Sequence, residues 1–171
     1  MHVMSQAFFV IVLLACAAAP SASFASIFGK QDVSDLIEID RSIQSLKEDV
    51  ALSLKSLPSA DIVRIQSFAH LEVSLEAAQE RFGYILVQVL LSTSMESQSD
   101  EFRILNILYE ETLPKSNDYL NSKRNTFLSV ATVQSNDRLF VSYCERAASL
   151  IGDKAIPTLD RVYASLRSIH R

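Results

Sequence analysis

The stretch "LEVSLEAAQERFGYILVQVLL", residues 71–91, decides the fold of this 171-residue chain. Its apolar residues recur at steps of three and four positions, the spacing that places side chains along one face of an α-helix. The members of this first stripe are Leu71, Leu75, Ala78, Phe82, Ile85 and Val89. The pattern predicts a helix from Ala60 to Ser94, about 52 Å long and much longer than an average helix. We expect this helix to be the spine of an all-helical domain.

The same helix carries a second apolar stripe on a different face. Its members are Val73, Ala77, Tyr84 and Leu91. Near the helix end, "YILVQVLL" at 84–91 contains a single polar residue. A helix that is apolar all round is normally buried all round, so central burial and contact with another chain are both open interpretations. Under the second interpretation the candidate interaction surface is formed by Tyr84, Val87, Leu90 and Leu91.

Helical patterns continue on both sides of this spine. On the N-terminal side, a continuous apolar seam predicts a helix from Ser34 to Ser56, which Pro58 ends. On the C-terminal side, the next helix begins near Asp100 and is expected to stop at Pro114, because proline disrupts a helix interior.

The tripeptide "SND" occurs at 116–118 and again at 135–137, each time before a helical pattern. Both copies predict helix starts, because Ser and Asn oxygens cap first-turn amides and Asp complements the helix dipole. We expect the helix after the second copy to end at Gly152 and a final helix to begin near Pro157.

These elements predict an all-α fold, an up-and-down bundle of four main helices with one or two shorter helices at 100–113 or 157–170. Only three Gly and four Pro occur, which is typical of long helices with short connections. We assign residues 34–171 to a single helical-bundle domain and residues 26–33 to a flexible mature N-terminus.

Residues 1–25 differ from the rest of the chain because they contain no Lys, Arg, Asp or Glu. Their apolar run, Ala7 to Ala19, would span about 20 Å as a helix, against about 30 Å for a bilayer core. A short apolar run followed by small residues is typical of a signal peptide, with Ser23-Phe24-Ala25 as the cleavage site. We therefore expect a secreted or periplasmic protein that begins at Ser26.

An alternative reading of this leader rests on Cys16. Leu13-Leu14-Ala15-Cys16 resembles the bacterial lipobox, in which the leader is cut before a lipid-modified cysteine. The resemblance covers four residues and implies a membrane-anchored lipoprotein with Cys16 as the lipidation site. The small, polar stretch that follows it would serve as a tether.

The charge and cysteine content narrow the classes of partner. The net charge of −4 falls entirely after the leader, which argues against nucleic acid as a partner. Cleavage near Ala25 leaves Cys144 as the only cysteine, so that product cannot form an intrachain disulfide. Because Cys144 lies near the apolar stripe of a helix, we expect a buried free thiol rather than a bridge to another chain.

No motif for catalysis, cofactor binding or metal binding is present in the sequence. Glu72, Glu76 and Glu80 line one helix face, but neither His70 nor His170 has the Glu three residues earlier that di-iron bundles use. We therefore interpret the three glutamates as a solvated acidic face. No catalytic residue, cofactor site or metal ligand is predicted.

The C-terminal helix combines an apolar face with a basic end. The apolar face holds Leu159, Val162, Leu166 and Ile169, and the basic residues include Arg161, Arg167 and Arg171. Such a helix can close the bundle, with its cations complementing the helix dipole. It can also lie on an anionic membrane surface or dock on an acidic partner, so these three arginines join the candidate interaction surface.

Three functional hypotheses follow from these patterns. The leading one is an exported, soluble helical bundle that binds another protein. The second is a lipid-anchored or membrane-surface adaptor, based on Cys16 and the basic C-terminal end. The third is a secreted enzyme or small-ligand carrier whose pocket lies between helices, with Tyr84, Tyr109, Tyr119 and Tyr143 as polar groups.

Overall fold

The computed structural model describes residues 27–94 and 98–169. Over these two ranges the chain is helical apart from short connections and has no β-strand, so the all-α prediction is confirmed. The α-helices are α1 Lys30–Ser56, α2 Ile62–Ser94, α3 Gln98–Ile107, α4 Leu113–Val133, α5 Arg138–Ser149 and α6 Ile156–Ile169.

Two wider π-helical turns join these helices without a break. Leu108–Thr112 connects α3 to α4, and Leu150–Ala155 connects α5 to α6. The residues that flank both turns keep right-handed helical dihedrals. The described chain therefore forms four long helices, namely α1, α2, the α3–α4 helix and the α5–α6 helix.

The prediction that helices stop at Pro114 and Gly152 is wrong. Proline normally breaks a helix because its ring collides with the carbonyl oxygen four residues earlier. In this chain the first π turn ends at Thr112, and its hydrogen bonds reach five residues back; Pro114 is the second residue of α4 and lies in its first turn. Gly152 lies inside the second π turn. The predicted short additions at 100–113 and 157–170 are thus parts of the two long helices.

The two "SND" tripeptides have different outcomes. The start predicted at 116–118 is wrong, since Ser116 is fully buried within α4. The start predicted at 135–137 is confirmed: the Asp137 carboxylate accepts a hydrogen bond from the Phe140 amide at 3.1 Å and caps α5.

The first π turn also explains how one helix keeps its face in the core. Buried positions before the turn advance by three or four residues and end at Thr112. The next buried position is Leu113, one residue later, after which steps of three and four resume at Ser116 and Leu120. The π turn absorbs this extra residue, so both halves of the α3–α4 helix face the same core.

Neighbouring helices run antiparallel, as contacts along α1 show. Near the end of α1, Asp49 accepts a hydrogen bond from Arg146 at 3.1 Å. Near its start, Asp32 accepts one from Arg161, also at 3.1 Å. Residue numbers in the α5–α6 helix thus rise as those in α1 fall.

The α2 and α3–α4 helices show the same relationship. Near the start of α2, the Ser67 hydroxyl accepts a hydrogen bond from Gln134 at 2.8 Å. Farther along α2, Arg81 lies over the ring of Tyr119. The described helices therefore pack as an antiparallel bundle.

The antiparallel order gives the bundle two distinct ends. The connections 57–61 and 134–137 lie at one end, which we call the hairpin end. The start of α1 and the end of α6 lie at the opposite end, where Arg161 reaches Asp32.

Aromatic residues fill the core between the helices. Phe68, Phe82 and Phe140 are fully or almost fully buried, and the Phe68 and Phe140 ring centroids are 5.3 Å apart. Every member of the first apolar stripe of α2 is buried, which confirms that stripe as the core face. Burial of such side chains is the main stabilising contribution to a bundle of this kind.

Several expectations concern residues outside this description. The signal peptide at 1–25, lipidation at Cys16 and the basic residue Arg171 all lie outside the described residues. Within the range 26–33, for which a flexible start is predicted, α1 begins at Lys30 and Phe28 is buried. Among the described helices, none has both the length and the apolar character to cross a membrane.

Candidate interaction surfaces

The hairpin end exposes a group of large apolar side chains. Val63 and Val133 expose 74% and 81% of their surface, and Ile62 and Leu139 are also exposed. These residues belong to the first turn of α2, the last turn of α4 and the first turn of α5. We call this group, Ile62, Val63, Val133 and Leu139, the hairpin-end surface.

An ion pair holds the helices of this end together. The Arg64 Nε atom lies 2.5 Å from the Asp137 Oδ2 atom, and a second hydrogen bond joins the same two side chains. Burial alone would raise the pKa of Asp137. Hydrogen bonds from Arg64 and from the amides of Phe140 and Leu139 outweigh burial, so the pKa lies below its ordinary value.

An open cleft lies beside this ion pair. Its volume is about 600 Å³, and its lining residues are Arg64, Asn136, Asp137, Arg138 and Leu139. The cleft is shallow and open to solvent, and its walls offer both apolar surface and hydrogen-bonding groups. Such a combination suits contact with a protein side chain better than enclosure of a small ligand.

The interaction surface predicted on α2 is divided by the structure. Tyr84 and Leu91 are exposed, on the same face of the helix, whereas Val87 and Leu90 are half-buried. Between them, Ile85, Leu86 and Val89 are buried in the bundle. The apolar run at 84–91 therefore serves the core with one face and presents Tyr84 and Leu91 with another.

A second cluster lies where α2 meets α4. The Arg81 guanidinium lies 5.6 Å from the centre of the Tyr119 ring, and the Lys123 ammonium lies 5.5 Å from it. All three side chains are half-buried. We call them the Arg81–Tyr119–Lys123 cluster. A cation within about 6 Å of a ring centre is attracted by its π face, so Tyr119 holds both cations in place.

The basic C-terminal helix pairs with acidic residues of α1. Arg161 bonds to Asp32 and Asp35, and Lys154 Nζ lies 3.3 Å from Glu38 Oε1. These contacts match the interpretation in which the last helix closes the bundle. Arg167 is exposed on the same helix.

The residues considered for other chemistry have ordinary surroundings. Cys144 is buried and forms no disulfide among the described residues, and burial followed by the charge of Glu145 raises its pKa to about 11. His70, Glu76 and Glu80 are exposed, and Glu72 is half-buried. Over the described ranges, His, Cys, Asp and Glu side chains form no group able to hold a metal ion.

The four tyrosines considered as pocket groups do not meet. Tyr109 stacks on Tyr163 with ring centroids 4.8 Å apart, and Tyr143 lies 2.9 Å from the Ser53 hydroxyl. Tyr84 and Tyr119 lie on the outer side of the bundle as described above. The two best-formed clefts in the described part of the chain are lined by none of these tyrosines.

Sequence reasoning did not identify the role of Arg81, Lys123 or the hairpin-end surface. Arg81 and Tyr119 are far apart in the sequence, and only the packing of α2 against α4 brings them together. The apolar residues next to the connections carried a local signal, since Ile62 and Val63 open a helix beside Asp61. Comparisons of the chain with protein-family models, with curated protein sequences and with solved structures find no significant match.

Proposed function

We propose that this protein is an exported, up-and-down helical bundle that acts by binding another protein, and that it docks through the hairpin-end surface. Export rests on the signal-peptide pattern of residues 1–25. The observation that carries the binding function is the exposure of four large apolar side chains at one end of the bundle.

The energetic argument for docking concerns the water around these side chains. Complete burial of a valine, leucine or isoleucine side chain contributes roughly 1.5–3 kcal/mol. A partner that covers Val63 and Val133, which are the most exposed members, would gain a useful part of that contribution. The Arg64–Asp137 pair and the polar walls of the cleft would then form a hydrogen-bonding rim.

The first experiment follows the protein in its native host. Intact mass measurement with N-terminal peptide mapping is expected to show a chain that begins near Ser26. A chain that begins at Cys16 with added acyl mass would instead establish the lipoprotein alternative. A chain that retains residues 1–25 would contradict export by cleavage.

The second experiment tests the surface itself. Purified full-length mature protein and a V63E/V133E double variant are each used for affinity capture from the exported fraction of the host. A protein captured by the wild type and lost with the double variant would support docking at the hairpin end. V73E serves as a control for an added surface carboxylate away from this end, because Val73 is 62% exposed on another face. Equal capture by all three proteins would contradict the proposal.

A further inference from the structure

The Arg81–Tyr119–Lys123 cluster is a second surface, separate from the hairpin end. Two cations from different helices, α2 and α4, converge on one aromatic ring at 5.6 Å and 5.5 Å. Because the three side chains are half-buried, their alkyl and ring portions are already packed and ordered. The ring therefore draws both positively charged groups toward one place on the surface.

Neither cation is neutralised within the described part of the chain. Arg81 and Lys123 form no ion pair with a described carboxylate, a property they share with other cations such as Lys55 and Arg103; what distinguishes them is that both lie against one ring. They also make no side-chain hydrogen bond to another described residue. The cluster is thus a local concentration of positive charge in a chain whose net charge is −4.

A carboxylate fits this site on electrostatic grounds. Each cation lies within about 6 Å of the centre of the same ring, so a carboxylate placed at the edge of that ring is attracted by both. Arginine in particular binds carboxylates through two parallel hydrogen bonds. The half-buried location reduces screening by solvent and salt relative to a fully exposed pair.

The residues around the cluster restrict the kind of anion. Glu80 precedes Arg81 and Asp118 precedes Tyr119, and both acidic residues are exposed. They would repel a polyanion such as a nucleic acid or an anionic membrane. Tyr84, which is 53% exposed one turn beyond Arg81, offers an apolar and aromatic contact beside the cations.

We infer that the Arg81–Tyr119–Lys123 cluster binds a single carboxylate side chain, flanked by apolar residues, in a segment of a partner protein. This inference goes beyond the proposed docking at the hairpin end, since it concerns another surface and a partner segment of defined chemistry. Either site can fail without the other.

The test uses a defined peptide and the full mature chain. An acetylated and amidated heptapeptide with one glutamate between two leucines is titrated into isotope-labelled protein, and chemical shifts are followed by NMR. We expect saturable shifts at Arg81, Tyr84 and Tyr119 in the millimolar range. The same peptide with glutamine in place of glutamate is expected to bind at least fivefold more weakly, and added salt is expected to weaken the glutamate peptide.

Variants of the two cations complete the test. R81Q/K123Q should lose the response, whereas K55Q/R103Q, which removes the same charge from exposed positions, should retain it. Circular dichroism checks that both variants fold. Equal binding of the glutamate and glutamine peptides, or an unchanged response in R81Q/K123Q, would overturn the inference. Absence of any saturable shift would overturn it as well. A vesicle assay gives the last outcome: if the wild type sediments with phosphatidylglycerol vesicles and R81Q/K123Q does not, the cluster binds a membrane and the inference is wrong.

Discussion

The carboxylate of Asp40 faces Gly83 across the interface between α1 and α2, with its Oδ1 atom 3.7 Å from the position that a Cβ on residue 83 would take. Asp40 exposes only 6% of its surface, and its carboxylate forms no ion pair with another described residue. Burial raises its pKa, and the nearby positive charges of Lys47 and Arg41 only partly oppose this effect.

Replacement of Asp40 by Asn is therefore expected to stabilise the protein at pH 7. Because the folded-state pKa is raised, the favourable contribution of Asp40 exists below its unfolded pKa and is lost as the pH rises through the folded pKa. At pH 7 the buried charge is a net cost, so D40N should raise the free energy of unfolding by about 1 kcal/mol. The gain should shrink toward pH 3. Urea unfolding at pH 7 and at pH 3 measures this gain in the free energy of unfolding. D118N, a change at an exposed aspartate, is the control. A loss of stability in D40N at pH 7 would contradict this account.

Asp137 has the opposite pH dependence. Its folded-state pKa is lowered, so its stabilising contribution is present above the unfolded pKa and disappears as the pH falls through the folded pKa, below about pH 4. D137A removes both the helix cap and the ion pair and should cost about 1–2 kcal/mol at pH 7. D137N keeps a capping oxygen and R64Q keeps Asp137 itself. Each variant should therefore lower the free energy of unfolding by less than D137A does. Thermal unfolding between pH 2 and pH 7 tests the order, and equal losses in D137A and D137N would show that the cap contributes nothing.

Cys144 should react slowly with thiol reagents in the folded protein. It exposes 1% of its surface, and its pKa of about 11 leaves about one thiolate in a thousand at pH 8. Alkylation with iodoacetamide, followed by mass spectrometry, is expected to require urea concentrations that unfold the bundle. Rapid native modification, or a disulfide-linked dimer without reductant, would show that this part of α5 opens.

Gly152 and Arg124 should be energetically coupled. A Cβ at residue 152 would lie 2.5 Å from the Arg124 Nε atom, so G152A requires the arginine side chain to move. Ala is favoured over Gly in a helix by about 1 kcal/mol. We expect G152A to stabilise the R124A protein by nearly that amount and the wild type by less. A double-mutant cycle in urea measures this coupling, and additive effects would rule it out.

The sequence contained enough information to predict the helices but not their continuity. The spacing of Leu71, Leu75 and Phe82 predicts a buried face because a helix repeats every 3.6 residues whatever its surroundings. Pro114 and Gly152 have strong local preferences for helix ends, and those preferences failed where packing favoured continuation through a π turn. Placing Gly inside a helix costs about 1 kcal/mol relative to Ala. The burial of a few core side chains contributes more free energy than that.

The candidate surfaces depended on the tertiary structure to a greater degree. The apolar run around Tyr84 showed that α2 carries more apolar surface than one face needs, but the division between core and solvent required the positions of the other helices. Arg81, Tyr119 and Lys123 are unremarkable in the sequence because cations at helical spacing usually form a solvated face. Their convergence arises only from the register between α2 and α4.

The first and last described residues lie at the same end of the bundle. Ile27 and Ile169 lie at the end of the bundle opposite the hairpin end, and α1 alone, with 27 residues, separates the two ends by about 40 Å. An affinity tag, fluorophore or surface linkage attached at Ile27 or Ile169 is therefore joined to the bundle at the end opposite the hairpin-end surface. A partner bound at the hairpin-end surface would in the same way leave the opposite end, with Ile27 and Ile169, uncovered.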